Sequence, residues 1–128
     1  MGSLPPADGY NGSGICAHEE LGEDGKIHDQ ARIDYLREYV YNVGLAIQDG
    51  VEVFGFNPWS FTDLLSTGNG MAKRYGLVFV NRTDDDLRDM KRIKKDSFDW
   101  YSTLIHSNGQ EWGTDMSQWR NFAKNKAE

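Results

Sequence analysis

The residues from Asp29 to Gly50 constrain the fold most, because a helical pattern there runs directly into a strand pattern. Apolar side chains recur every three or four positions, the period of one helical face: Ile33, Leu36, Val40, Val43 and Ile47. Asp29 suits an N-cap and Gly50 a C-terminal stop. Residues 51–57 are rich in β-branched and aromatic side chains and have the length of a strand. A helix joined to a strand with almost no linker predicts an α/β fold.

Further elements follow in the same manner. Residues 76–81 predict a second strand and residues 83–86 a turn. A last helix is predicted over about residues 95–106, with an apolar side that consists of Phe98, Tyr101 and Ile105. The order of helix, strand, loop and helix is typical of a piece of a larger parallel sheet.

Both ends of the chain differ from this middle part. Residues 1–26 hold six of the fourteen glycines and two of the three prolines, which predicts a flexible segment without a packed element. Residues 110–128 form a predicted C-terminal tail with a terminal helix that carries Trp112, Trp119 and Phe122. One structured part, residues 27–109, is therefore expected.

Composition excludes several classes of protein. No apolar run approaches the roughly 20 residues of a membrane helix, and no apolar leader follows Met1, so we expect a cytoplasmic protein without a membrane partner. With 14 basic and 20 acidic residues and no long basic block, nucleic acid is not expected as a partner. The short cluster of Lys91, Arg92, Lys94 and Lys95 is predicted to be a solvated turn and helix start. Cys16 is the only cysteine, so no internal disulfide, metal site or cofactor is expected.

The segment after Pro58 is the candidate functional part. Proline has no N–H to donate, so we expect strand pairing to end there. Residues 59–75 then form a long glycine-containing loop beside a short strand, and loops of that length are often functional.

The chain resembles family 1 of the glycoside hydrolases. The residues that carry the resemblance are His28-Asp29, Arg32-Ile33-Asp34-Tyr35-Leu36, Asp49-Gly50-Val51-Glu52-Val53, Trp59-Ser60, Asp63, Lys73-Arg74-Tyr75-Gly76, Lys95, Ser97 and Tyr101. They match the seventh helix and eighth strand of that (β/α)8 barrel and the segment that follows. The resemblance spans residues 14–109 and implies the C-terminal quarter of a TIM barrel, incomplete as an isolated chain because a full barrel needs roughly 250 residues.

The resemblance also implies a substrate. Members that act on unphosphorylated glucosides carry W-S-x-x-D-N-F-E-W after the eighth strand, and the glutamate binds the sugar hydroxyls. Here Ser66 stands in that position, where a carboxylate would repel a 6-phosphate and a hydroxyl can donate to it. The subfamily that hydrolyses 6-phospho-β-glucosides has S-x6-K-x-Y, which Ser66, Lys73 and Tyr75 match. By the same resemblance Trp59 is an apolar platform for the sugar ring.

Each of these residues has an alternative interpretation. Trp59 alone is more often a core residue, Lys73 alone a surface lysine, and Tyr75 alone an anchor for the loop. Asp63 is expected to be a structural hydrogen-bond acceptor, and Arg74 to pair with a nearby carboxylate.

No catalytic residue is predicted. A retaining glycosidase needs two carboxyl groups about 5–5.5 Å apart. In the family these lie in N-E-P and E-N-G motifs, neither of which occurs in the 128 residues, and Gly12 stands at the place of the nucleophile. Glu19, Glu20 and Glu23 are expected to be solvated loop charges.

We therefore expect part of a 6-phospho-β-glucosidase of carbohydrate metabolism, inactive alone, whose ancestral substrate is a 6-phosphorylated β-glucoside. Two alternatives stay open. One is a non-catalytic sugar-phosphate-binding module. The other is an interaction role, by self-association or by pairing with a fragment that carries the earlier strands, since unpaired strand edges favour association.

Overall fold

The structure, a computed structural model, describes residues 10–110 and their side chains from residue 14 onward. Two helices, α1 (Gln30–Gln48) and α2 (Asp96–His106), pack against each other, and four short strands complete the described elements. The strands β1 (Tyr10–Ser13) and β2 (Phe56–Pro58) form one pair, and β3 (Val78–Val80) and β4 (Arg92–Lys94) form another. The predicted tail helix falls on residues outside the described part, apart from residue 110.

Helix α1 confirms the strongest sequence pattern. It spans Gln30–Gln48, Asp29 occupies the N-cap position, and Gly50 adopts a φ of +91° just after the end of the helix. The Asp29 carboxylate makes no capping bond; it accepts hydrogen bonds from Arg32 and Ser97 instead. The predicted apolar face is buried only in its first half, because Ile33 and Leu36 enter the core while Ile47 is 51% exposed.

The pair of β1 and β2 corrects two predictions. The expectation of no packed element before residue 27 is wrong for the described residues, because β1 lies parallel to β2, with Tyr10 opposite Phe56 and Ser13 opposite Pro58. The predicted strand over residues 51–57 is also too long, since residues 51–55 form no strand. A β-rich segment becomes a strand only where a neighbour supplies hydrogen bonds, and β1 reaches only the last residues. Pro58 is consequently the last residue of β2.

The second pair connects the loop to helix α2. Strand β3 falls within the predicted residues 76–81 and is buried throughout, and it pairs antiparallel with β4, Phe79 opposite Ile93. Sequence reasoning missed β4 because its residues were assigned to a basic turn. Three of the four basic residues there are exposed, as expected, but Lys95 is only 1% exposed. The solvated interpretation is therefore wrong for Lys95.

Helix α2 has the predicted length but another buried side. The residues that it buries are Ser97, Trp100 and Leu104, which pack with Ile33, Leu36 and Leu77 in the core. Phe98, Tyr101 and Ile105 instead line an open groove of about 600 Å³, together with Phe56 and Phe61. The helix ends as predicted, since Asn108 and Gly109 have positive φ and the Gly109 N–H donates to the Leu104 carbonyl at 2.8 Å. The predicted apolar side is thus only partly buried, because Phe98 and Tyr101 pack at the edge of the core while Ile105 is exposed.

This groove predicts association in solution. Large apolar side chains stay exposed around it, with Phe61 at 66% and Ile105 at 58%, and apolar surface of this kind favours burial against another molecule. We expect sedimentation velocity to show association that increases with concentration, and the double change Phe61→Lys and Ile105→Lys to shift the chain toward monomer.

A matched charge control is the double change Ala31→Lys and Gln48→Lys, on the exposed surface of α1. It should leave the association unchanged, because it adds the same charge away from the groove. A monomeric wild-type chain at all concentrations would contradict the expectation.

Candidate functional site

The loop of residues 59–75 leaves the end of β2 and returns to β3, and its two ends are held side by side. The Ser60 N–H donates to the Tyr75 carbonyl at 3.1 Å, and the Leu77 N–H donates to the Ser60 carbonyl at 3.0 Å. Gly14, just after β1, lies so close that a Cβ there would come within 1.8 Å of the Trp59 carbonyl oxygen. These contacts bring Trp59 and Tyr75 together at the ends of β1 and β2.

A buried ion-pair network holds this loop in place through Asp63 and Arg74. It contains three carboxylates and three cations whose side chains are at most 7% exposed: Glu19, Asp29, Asp63, Arg32, Arg74 and Lys95. Asp63 accepts from the Lys95 ammonium at 2.7 Å and from the Arg74 guanidinium at 3.0 Å. Glu19 pairs with both Lys95 and Arg32. The three negative and three positive charges balance, and burial of charges is tolerated only when they are paired.

Asp63 and Arg74 also connect the network to backbone groups in and around β3. Asp63 also accepts from the backbone N–H groups of Gly76 and Val80, at 3.0 and 3.2 Å. Arg74 donates to the carbonyls of Val80 and Arg82, at 2.8 and 2.6 Å. The expected structural roles of Asp63 and Arg74 are confirmed. The expectation of a solvated Glu19 is wrong, because two cations from α1 and from the start of α2 draw its carboxylate inward; Glu20 and Glu23 are exposed, as expected.

Two of the predicted phosphate-binding residues lie on either side of one asparagine. The Ser66 hydroxyl accepts from the backbone N–H groups of Gly68 and Asn69, both at 3.3 Å. The Asn69 side-chain amide in turn donates to the Tyr75 hydroxyl at 3.5 Å. Paired backbone bonds between Ser66 and Gly70, at 3.0 and 2.9 Å, close the turn that contains Ser66 and Asn69. Nothing in the sequence singled out Asn69.

Lys73 stands on the same side of the backbone as Tyr75. Arg74 is in a β-bridge with Ala17 and directs its side chain into the buried network. Successive side chains of an extended segment point to opposite sides, so Lys73 and Tyr75 project away from the network. Both are partly buried, and the Lys73 ammonium makes no hydrogen bond or ion pair within residues 14–110. Lys73 is the cation of this loop that the buried network does not use.

Trp59 lies outside the core. Its side chain is 48% exposed, so the alternative of a core tryptophan does not describe its surroundings. The loop after β2 therefore carries an exposed apolar ring, two hydroxyls connected through Asn69, and an ammonium with no partner within residues 14–110. Such a set can bind a polar ring with an anionic substituent, because charge-assisted hydrogen bonds to phosphate oxygens are short and strong.

A histidine outside this loop, His28, has a shifted pKa. His28 bonds Asp96 at 2.6 Å and Asp24 at 2.8 Å, and these hydrogen bonds, that to Asp96 first, raise the pKa of His28 above 6.5. The same histidine lowers the pKa of Asp24. The stabilisation from protonated His28 is complete below its unfolded pKa and is lost as the pH rises through the raised value. The groups are exposed, so they tie the segment before α1 to α2 only weakly.

The described part of the chain offers neither a metal site nor a membrane span. Among residues 14–110 no three histidine, cysteine or acidic side chains gather as metal ligands. Neither of the two helices is long and apolar enough to cross a bilayer.

Comparison with known proteins gives one consistent answer. The sequence model of the family described as "Glycosyl hydrolase family 1" matches residues 10–110. The aryl-phospho-beta-D-glucosidase BglC of Bacillus subtilis is 52% identical over 88 residues, which are 69% of this chain and 18% of that protein. The 6-phospho-beta-glucosidase AscB of Escherichia coli is 43% identical over 100 residues, 77% of this chain and 21% of that protein.

The solved structure of a family 1 β-glucosidase from Thermotoga maritima superposes with a TM-score of 0.71 at 40% identity. The superposition covers 78% of this chain and 21% of the other. Family 1 β-glucosidases have a TIM-barrel fold. The chain thus spans about a fifth of the length of the curated relatives that it matches.

Proposed function

The chain belongs to glycosyl hydrolase family 1, and on that premise we propose that it is the C-terminal quarter of a 6-phospho-β-glucosidase barrel. In this interpretation β1 and β2 are the last two barrel strands, and the loop of residues 59–75 binds the phosphorylated end of the glycone. The substrate class is a 6-phosphorylated β-glucoside, taken up in phosphorylated form and hydrolysed in the cytoplasm by the complete barrel.

The observation that carries the proposal is the Lys73 ammonium, which has no partner within residues 14–110. In the same loop Arg74 pairs with Asp63. A partly buried lysine on the same side of the backbone as Tyr75 supplies a positive charge for an anion. An unphosphorylated glucoside has no anionic group with which the Lys73 ammonium could pair.

Overall identity alone does not select the phosphorylated substrate. The relatives of comparable identity include beta-glucosidase A of Thermotoga maritima, 39% identical over 107 residues, whose name mentions no phosphate. We propose that the residue at the place of Ser66 decides this difference in substrate. There a carboxylate would lie next to the dianion in a poorly solvated site, and the repulsion would oppose binding.

A chimera tests the whole-barrel activity. The matching segment of the Bacillus subtilis BglC protein would be replaced by residues 14–110 of this chain. We expect hydrolysis of a chromogenic 6-phospho-β-glucoside, and Lys73→Ala to lower kcat/KM about 10- to 100-fold, because a hydrogen bond to a charged group contributes about 1.5–3 kcal/mol. Lys94→Ala, at an exposed position, is the control and should leave kcat/KM unchanged.

Ser66→Glu in the chimera should reduce the ratio of kcat/KM for the phosphorylated glucoside to that for the unphosphorylated glucoside by at least about 10- to 100-fold. A chimera that prefers unphosphorylated glucosides, or one that is indifferent to both substitutions, would contradict the proposed substrate class.

A second candidate function has one observation in its favour. Ser66, Asn69 and Tyr75 are already connected within these residues, so the loop can bind a sugar phosphate without the rest of the barrel. That is a non-catalytic sugar-phosphate-binding module. Calorimetric titration with glucose 6-phosphate distinguishes it, because a module should bind with a heat that Lys73→Ala abolishes.

The open groove favours an interaction role within the same family proposal. Its apolar lining lies between β2 and α2, where a barrel continues with its first strand and helix. We propose that a fragment with the earlier strands covers it, and co-purification of the two pieces would be the direct check.

A further inference from the structure

Asn69 lies between the two hydroxyls that the proposed site uses. Its backbone N–H donates to Ser66 Oγ at 3.3 Å, as does the N–H of Gly68, and its side-chain Nδ2 donates to Tyr75 Oη at 3.5 Å. One residue thus contacts both hydroxyls, that of Ser66 through its backbone and that of Tyr75 through its side chain.

These contacts decide what each hydroxyl can still do. A serine hydroxyl has one proton and two acceptor lone pairs, and in Ser66 two N–H groups point at the lone pairs. The Tyr75 oxygen accepts from Asn69, which leaves its own proton unused. Neither hydroxyl proton has an acceptor among residues 14–110. Both hydroxyls are therefore left as donors.

We propose that Asn69 is a positioning residue whose side chain sets the Tyr75 hydroxyl as a donor, as the backbone N–H groups set that of Ser66, so that the site selects a ligand group that only accepts hydrogen bonds. This deepens the proposed function and rests on it. A phosphate dianion has only acceptor oxygens, whereas the 6-hydroxyl of an unphosphorylated sugar must also place its own proton. With Ser66 and Tyr75 fixed as donors and Lys73 as a cation, that proton finds no acceptor among the three.

A double-mutant cycle on the complete 128-residue chain tests this. Backbone amide NMR spectra would be followed during titration with glucose 6-phosphate, with glucose as the reference. We expect the amides of Gly68 and Asn69 to shift with glucose 6-phosphate and not with glucose. Asn69→Ala should raise the Kd about three- to tenfold, the effect of losing one neutral hydrogen bond.

The cycle separates positioning from a structural effect. In a Tyr75→Phe background the tyrosine hydroxyl is gone, so Asn69→Ala should have no further effect on the Kd. Asn69→Asp, which offers an acceptor to Tyr75 and adds a negative charge, should weaken binding more than Asn69→Ala. Asn69→Gln keeps the amide and should recover part of the affinity.

Three results would overturn the inference. An equal loss from Asn69→Ala in both backgrounds would mean that Asn69 only supports the loop. An unchanged Kd in Asn69→Ala, with binding lost in Lys73→Ala, would remove Asn69 from the site and leave the proposed function intact. Equal responses to glucose and glucose 6-phosphate, or none to either, would overturn the selection by donors, while the chimera would still decide the proposed function by itself.

Discussion

Asp63→Ala is expected to abolish cooperative unfolding of the chain. The change leaves the Arg74 guanidinium without a carboxylate, takes one of two carboxylates from Lys95, and leaves the N–H groups of Gly76 and Val80 without their acceptor. Removing one partner of a buried ion pair costs about 3–5 kcal/mol. Each unsatisfied buried group adds about 1–3 kcal/mol. That total is comparable with the whole stability of a small domain, about 5–15 kcal/mol.

The measurement is urea unfolding followed by circular dichroism and tryptophan fluorescence. Asp85→Ala is the matched control, because Asp85 is exposed in the same chain, and it should stay within about 0.5 kcal/mol of wild type. The stability of Asp63→Asn should lie between those of Asp63→Ala and Asp85→Ala, since the amide keeps an acceptor and loses the charge. A wild-type midpoint for Asp63→Ala would mean that the network does not hold the loop.

The second large effect is the absence of turnover. We expect the purified 128-residue chain to release no more chromophore from a 6-phospho-β-glucoside than buffer does. Double displacement needs a nucleophile and an acid/base about 5–5.5 Å apart, and the 128 residues contain neither an N-E-P nor an E-N-G motif. Enzymes of this kind exceed the uncatalysed rate by factors of about 10⁶ or more, so the expected loss is essentially complete.

Gly12→Glu provides a sharp control for this expectation. It returns a carboxylate to the place assigned to the nucleophile, at the end of β1 and beside β2. The acid/base is still missing, so turnover should remain at the level of buffer. Co-expression with a fragment that carries the earlier strands and both motifs is expected to restore it. Turnover by the wild-type chain alone, with loss in Lys73→Ala prepared in the same way, would contradict the proposal of an inactive part.

The local sequence determined the helices, because helix formation depends on contacts within three or four residues. The periodicity from Ile33 onward and the stop at Gly50 predicted α1 within two residues, and Asn108-Gly109 predicted the end of α2. The strands were predicted less well. Residues 51–55 have strand composition but no partner among the described residues, while β1 and β4 pair despite glycine-rich or basic composition. Strand pairing is a property of two segments, so one segment cannot predict it.

The candidate site shows the same division. The residue types and spacing of Ser66, Lys73 and Tyr75 were available from the sequence, as was the choice of a hydroxyl where a carboxylate would repel phosphate. Their roles in binding stay a prediction. Asn69 and Glu19 gave no sequence signal, because a lone asparagine in a glycine-rich turn or one of three nearby acids looks like any surface residue.

The sequence by itself determined the family, the two helices and the identity of the candidate phosphate-binding side chains. Only the tertiary structure decided which charges are buried and which are available. Glu19 and Lys95 are 76 residues apart in the chain, and they pair in the interior because α1, α2 and the loop bring them into contact. The cost of burying a charge depends on its partners, and partners so distant in sequence are chosen by the fold.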